Sequence, residues 1–122
     1  MSSTNLVYFN GRDEMLRVDL AKVVYIEAAA NFTEVVTVNK LKATVSMNLA
    51  AMEQFLAQQK GEMARRFVRI GKRFIVNLEY IYRINLRNQK LMLSDYDHFV
   101  FQLDISKEAL KRLRELMLQM KR

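Results

Sequence analysis

Five cationic side chains, Arg65, Arg66, Arg69, Lys72 and Arg73, fall within nine consecutive positions and are interleaved with the apolar Phe67, Val68 and Ile70. Guanidinium and ammonium groups only donate hydrogen bonds, and they do so with charge assistance, so such a cluster suits the holding of an anion, phosphate above all. Counted on to Lys90, the segment adds Arg83, Arg87 and Lys90 against Glu79 alone, and it carries the whole formal excess of +7. An excess that serves only solubility is spread over the surface; one confined to a single segment is the footprint of a polyanion-binding face.

Gly71 sits between Ile70 and Lys72, where a residue free to take positive φ lets the chain turn. Such a turn lifts Lys72 and Arg73 to a tip while Phe67, Ile70, Phe74 and Val76 anchor the strands on either side. Cations on a stiff tip lose less conformational entropy on docking than cations on a tail, and rigid loops suit phosphate and groove contacts. Nucleic acid is the partner this chemistry favours. The alternative is an interaction module for anionic surfaces or acidic proteins, without preference for any DNA sequence.

Other chemistries find little support. The chain has no cysteine and a single histidine, His98, so neither thiolate nor imidazole clusters can be assembled for a metal. Nucleophile elbows, phosphate-binding loops, dinucleotide fingerprints, zinc-protease helices and calcium loops are all missing from the sequence. Asp95 and Asp97 read as solvated turn residues, His98 as the end of a strand, and Met52, Met117 and Met120 as helix positions packed into the core. No catalytic site, cofactor or small-molecule substrate is expected. Lack of cysteine agrees with a reducing, cytoplasmic setting. The longest runs without a charged side chain, residues 1–11 and 43–52, are each about half a membrane span, so no membrane partner is expected either.

The elements that must position the cations are mostly strands. Leu16, Val18 and Leu20 alternate with Arg17 and Asp19, and Leu41, Ala43 and Val45 alternate with Lys42, Thr44 and Ser46, the period of half-buried strands. Residues 23–26 and 34–38 share a β-branched and aromatic bias, with Asn39-Lys40 as a tight turn after the second. Further strands are expected at 67–70, 74–76, 81–84, 90–93 and 99–103. Asn48 can cap a helix bearing Leu49, Met52, Phe55 and Leu56 that stops near Lys60-Gly61. A second helix opens at Ser106 and places Ala109, Leu110, Leu113, Leu116, Met117 and Met120 on one stripe. Asn77, before Leu78-Glu79-Tyr80, caps a short helical turn. The whole is a mostly β (α+β) domain over residues 6–122, preceded by a polar tail at 1–5.

Four blocks in order, VVYIEAAANFTEVVT, VSMNLAAMEQFL, FVRIGKRFIVNLEYIYRI and LDISKEALKRL, give the chain its likeness to a known family. Together they resemble the LytTR-type DNA-binding domain of bacterial transcriptional regulators, from about Leu6 to Leu116. The resemblance implies an elongated, mostly antiparallel β fold with a small internal helix and a C-terminal helix. It implies sequence-specific binding to double-stranded DNA for transcription regulation, through inter-strand loops placed in successive major grooves. Repeated sites, and a homodimer on DNA, go with that mode.

Carried over residue by residue, Asn31 and Thr33 occupy the EAxxNxT loop that approaches DNA in the family, and both side chains can hydrogen-bond to phosphates or base edges. Arg69, Lys72 and Arg73 match the basic turn whose usual form is R-I-H-R-S. Gly71 replaces its histidine, Lys72 its arginine and Arg73 its serine, so the charge persists while the hydrogen-bonding pattern changes. Ser106 and Lys107 match the S-R pair opening the final helix, with Glu108 where many relatives carry a polar or basic contact. Family members usually carry an N-terminal regulatory module such as a phospho-accepting receiver. The expectation here is a free-standing regulator or an excised C-terminal domain.

Overall fold

A computed structural model describes residues 5–121; the expected tail at 1–5 lies outside the described residues except for Asn5. A hairpin of β1 (Leu6–Asn10) and β2 (Met15–Asp19) leads through a short 3-10 turn into β3 (Val23–Ala29), β4 (Phe32–Thr37) and β5 (Lys42–Val45). Helix α1 (Leu49–Ala57) and a 3-10 turn at Met63–Arg66 precede β6 (Phe67–Ile70) and β7 (Phe74–Asn77). A further 3-10 turn, Leu78–Tyr80, joins these to β8 (Ile81–Asn85), β9 (Lys90–Ser94) and β10 (Val100–Asp104), and α2 (Lys107–Met120) closes the chain. The strands form three antiparallel sheets: β1-β2, β8-β9-β10, and a central sheet ordered β5-β4-β3-β7-β6.

The central sheet is covered on both faces, which explains why residues 23–26 are apolar without alternation. Val23 and Ile26 pack with Val7, Val18, Met52 and Ile75 under the first hairpin and α1. Val24 and Tyr25 pack on the other side with Val76, Leu91, Leu103 and Leu110, under the three-stranded sheet and α2. Two neighbours share one face because the register with β4 slips between Val23 and Tyr25, the effect of a β-bulge. Full burial of each large apolar side chain such as Ile26, Met52, Ile75 or Leu110 contributes about 1.5–3 kcal/mol.

Local signals place the helices. Asn48 Oδ1 accepts from the Ala51 amide at 2.8 Å and Ser106 Oγ from the Ala109 amide at 3.3 Å, so both expected N-caps form. Asn77 caps Leu78–Tyr80 as its sequence context suggests, accepting from the Glu79 amide at 2.9 Å.

Several expectations are corrected. Strand β1 and the Met63–Arg66 turn were not foreseen. Helix α1 stops at Ala57, before Lys60-Gly61, where the ladder tightens: the Gln58 amide is shared with Phe55 O and the Gln59 amide bonds Leu56 O, each three residues back at 3.2 Å. Leu41 is 65% exposed instead of inward-facing, since positive φ at Lys40 (71°) rotates the chain before β5 begins. At that turn Lys40 takes the left-handed conformation, and Asn39 Oδ1 accepts from the Leu41 amide at 3.3 Å. Met52 is fully buried, but Met120 is half exposed, beyond the reach of the core at the end of α2.

Candidate nucleic-acid interface

Because β3 and β7 run antiparallel, the end of β3 lies beside the start of β7, and the turns adjoining them are neighbours. The last paired residues are Glu27 and Phe74, and one more ladder-like bond, Ala28 N to Arg73 O at 2.8 Å, extends into the basic turn. The β3–β4 turn at residues 30–31 and the β6–β7 turn at 71–73 therefore project from the same end of the sheet, held by backbone. Each turn needs one left-handed residue: Ala30 (φ 58°) and Gly71 (φ 66°). A Cβ at Gly71 would meet nothing within 4 Å, so glycine is required there for its backbone and not for space.

A third point reaches the same end. The Tyr25 ring meets Phe74 and Phe101 edge-on, at 6.0 and 5.4 Å, which packs β10 against this face of the central sheet. Asp104, at the end of β10, has its carboxyl held below the usual range. The hydrogen bond and charge of Lys90 are the main cause, outweighing the opposing effect of burial, and Arg73 adds its own field. Ser106 and Lys107 follow at once, and Ile105 N bonds Gln89 O at 3.1 Å, which brings in the β8–β9 turn with the exposed Arg87. In the sequence this turn shows only through Arg87, one of the cations of the basic segment.

The expected site residues fall into three groups. Asn31, Lys72 and Lys107 are exposed, and among the described residues no hydrogen bond or ion pair engages their side chains. Arg69 and Arg73 are tethered. Arg69 is a brace, its Nε donating to the Gly71 carbonyl at 3.2 Å and its Nη1 to Glu53 of α1 at 3.3 Å. Arg73 Nη2 donates to Glu27 Oε2 at 2.6 Å, and its guanidinium carbon stands 5.0 Å from the centroid of the Phe74 ring. Thr33 is the correction: it has no exposed surface, and among the described residues its Oγ1 has no hydrogen-bond partner. Strand β4 puts it opposite Ala28 and Val45, on the buried side that also holds Val35, so the EAxxNxT loop ends before reaching it.

The basic segment is also less free of acid than its sequence suggests. Arg66 pairs with Glu79 and Lys90 with Asp104, in addition to the Glu53 and Glu27 pairs. All are at least partly exposed, and pairs of that kind are worth only about 0–1 kcal/mol, so their effect is to aim side chains more than to hold the fold. Arg65, Lys72, Arg83 and Arg87 have no carboxylate partner among the described residues. Among those residues no cluster of metal-ligating side chains forms, and no helix is long and apolar enough to cross a membrane.

Strand-connecting turns that share one end of a rigid sheet and carry cations and an amide define a β-rich, loop-presenting binding domain. The chain belongs to the LytTr DNA-binding domain family, whose profile matches residues 13–118. DNA is accordingly its partner, in transcription regulation. Among solved structures it is similar to the LytTr DNA-binding domain of a protein from Bacillus cereus described as a methyl-accepting/DNA response regulator. That likeness has 24% identity and a TM-score of 0.64, covers 93% of this chain and 96% of the other, and speaks to the fold. Comparison with curated proteins gives no match.

Proposed function

We propose that this domain, residues 6–122, recognises double-stranded DNA by sequence through inter-strand loops placed in successive major grooves, the adjoining β3–β4 and β6–β7 tips sharing one of them. Asn31 offers one donor and one acceptor group, the pattern that pairs with adenine; Lys72 and Arg73 suit guanine edges or phosphates. Lys107, on the first turn of α2, contacts the backbone, and Arg69 keeps the basic turn in shape rather than touching DNA. Thr33 serves from inside the sheet. The domain works in the cytoplasm on repeated sites, as a homodimer on DNA.

The observation that carries this reading is the 2.8 Å bond from Ala28 N to Arg73 O, which sets the two tips in one register. Groups held in fixed mutual position can match a spacing of base pairs; groups on independent loops supply only affinity. Selection of bound duplexes from a random pool, followed by competition with heparin, tests it. A recovered duplex should resist heparin concentrations that displace scrambled DNA. Equal displacement of both would favour the anionic-surface module instead.

A further inference from the structure

We infer that Glu27 is a positioning residue for Arg73 and thereby sets how sharply the domain distinguishes one duplex from another; this rests on the DNA-reading role proposed above for Arg73. Glu27 lies within β3, paired to Phe74 on one side and Glu34 on the other, and its side chain is 24% exposed. Arg73 is in the turn and its side chain is 63% exposed. The carboxylate is thus the stiff partner and the guanidinium the mobile one.

Two contacts orient that guanidinium: the 2.6 Å bond to Glu27 Oε2 and the buried Phe74 ring 5.0 Å away. Only Nη2 is engaged by the carboxylate, so most of the arginine's five N–H donors remain available for a two-point contact with a base edge or phosphate. An aimed side chain gives up less freedom on binding than a loose one.

A carboxylate at this position is a poor choice for stability or for bulk DNA affinity. Glu27 and Glu34 are directly opposite, a cross-strand like-charge pair that disfavours the sheet. Burial chiefly, and then the charges of Glu27 and Glu34, push the Tyr25 hydroxyl up from its ordinary range. Beside the basic turn, Glu27 also repels the phosphates that every duplex presents and neutralises a cation that would attract them. What it supplies in return is the direction of Arg73.

The test measures the whole chain against a duplex recovered by selection and a scrambled duplex of equal length, across a salt series. Glu27→Gln keeps the shape and removes the charge. Its affinity for scrambled DNA should rise, with the salt slope steeper by about 0.9 as one cation is released. Affinity for the selected duplex should not rise, so the selected-to-scrambled ratio falls about tenfold. In an Arg73→Gln background the same change should leave the ratio where it is. An unchanged ratio, or additive effects of the two substitutions, overturns the inference. So does a parallel loss for both duplexes with a lowered Tm, which would make Glu27 a structural residue. If the unmodified chain prefers no duplex at all, the DNA-reading proposal fails first and this one with it.

Discussion

Asn77 ties three elements together: its Nδ2 donates to the Val23 carbonyl at 2.8 Å while its Oδ1 accepts from the Glu79 amide at 2.9 Å, and none of the residue is exposed. The strand that leaves the basic turn is thereby fixed at its far end both to β3 and to the turn before β8. Asn77→Ala deletes the cap and leaves a buried carbonyl short of a donor. The expected loss is about 2–4 kcal/mol in urea unfolding. A cost below about 0.5 kcal/mol, the level of an ordinary surface change, would show the link to be dispensable.

Lys72 is exposed at the tip of its turn, with no carboxylate partner among the described residues. For the unmodified domain, log K should fall with log salt at a slope of about −4 to −6, as about four to six neutralised phosphates require. Lys72→Ala should make that slope shallower by about 0.9 and leave Tm unchanged. Fluorescence anisotropy with a labelled duplex reads both; a flat salt response would remove phosphate contacts from the account.

Thr33 offers the reverse kind of test. Its hydroxyl is buried and, among the described residues, unpaired, a state that generally costs about 1–3 kcal/mol, whereas valine has nearly the same shape and favours strands. Thr33→Val should therefore stabilise the domain by about 1 kcal/mol and leave DNA affinity as it was. Loss of binding with the fold intact would mean that the hydroxyl meets the duplex after all.

The β9–β10 turn should respond to pH. Burial alone would raise the Asp95 carboxyl, but the His98 ring bond and the amides of Asp97, His98 and Phe99 outweigh it and hold the group well below the usual carboxylate range. His98 is raised from its ordinary value by the Asp95 bond first, then by the charges of Asp97 and Asp95, against a smaller opposing effect of burial. A depressed acid favours the fold above its unfolded pKa, and a raised histidine favours it below its own. The turn should thus be firmest between about pH 4.5 and 6, and loosen as His98 deprotonates above that window. Amide exchange at residues 97–99 measures this, and His98→Gln should abolish the change on the alkaline side. An exchange profile that stays the same in that variant would contradict the assignment.

What was legible in the sequence was local. The Asn48, Asn77 and Ser106 caps and the Gly71 turn depend on neighbours a few residues away, and each forms where composition indicated. Partners distant in the chain were not legible: Glu27, Glu53 and Asp104 reach the basic segment only because β3, α1 and β10 are folded against it. Period-two counting failed at Leu41, where one left-handed residue breaks the alternation, and it had nothing to say about Val24 and Tyr25 across a bulge. Thr33 was misplaced for a related reason. A motif gives the order of residues around a turn, whereas the strand register decides which of them faces out.

The main-chain link between Ala28 and Arg73 also bears on how such a domain changes its target over time. With the stems of both tips riveted to one plank, neither stem can swing aside without disturbing the other. On the reading proposed above, new preferences come from exchanging the heads at fixed stations, which leaves the geometry a lineage inherits far more durable than the word it spells.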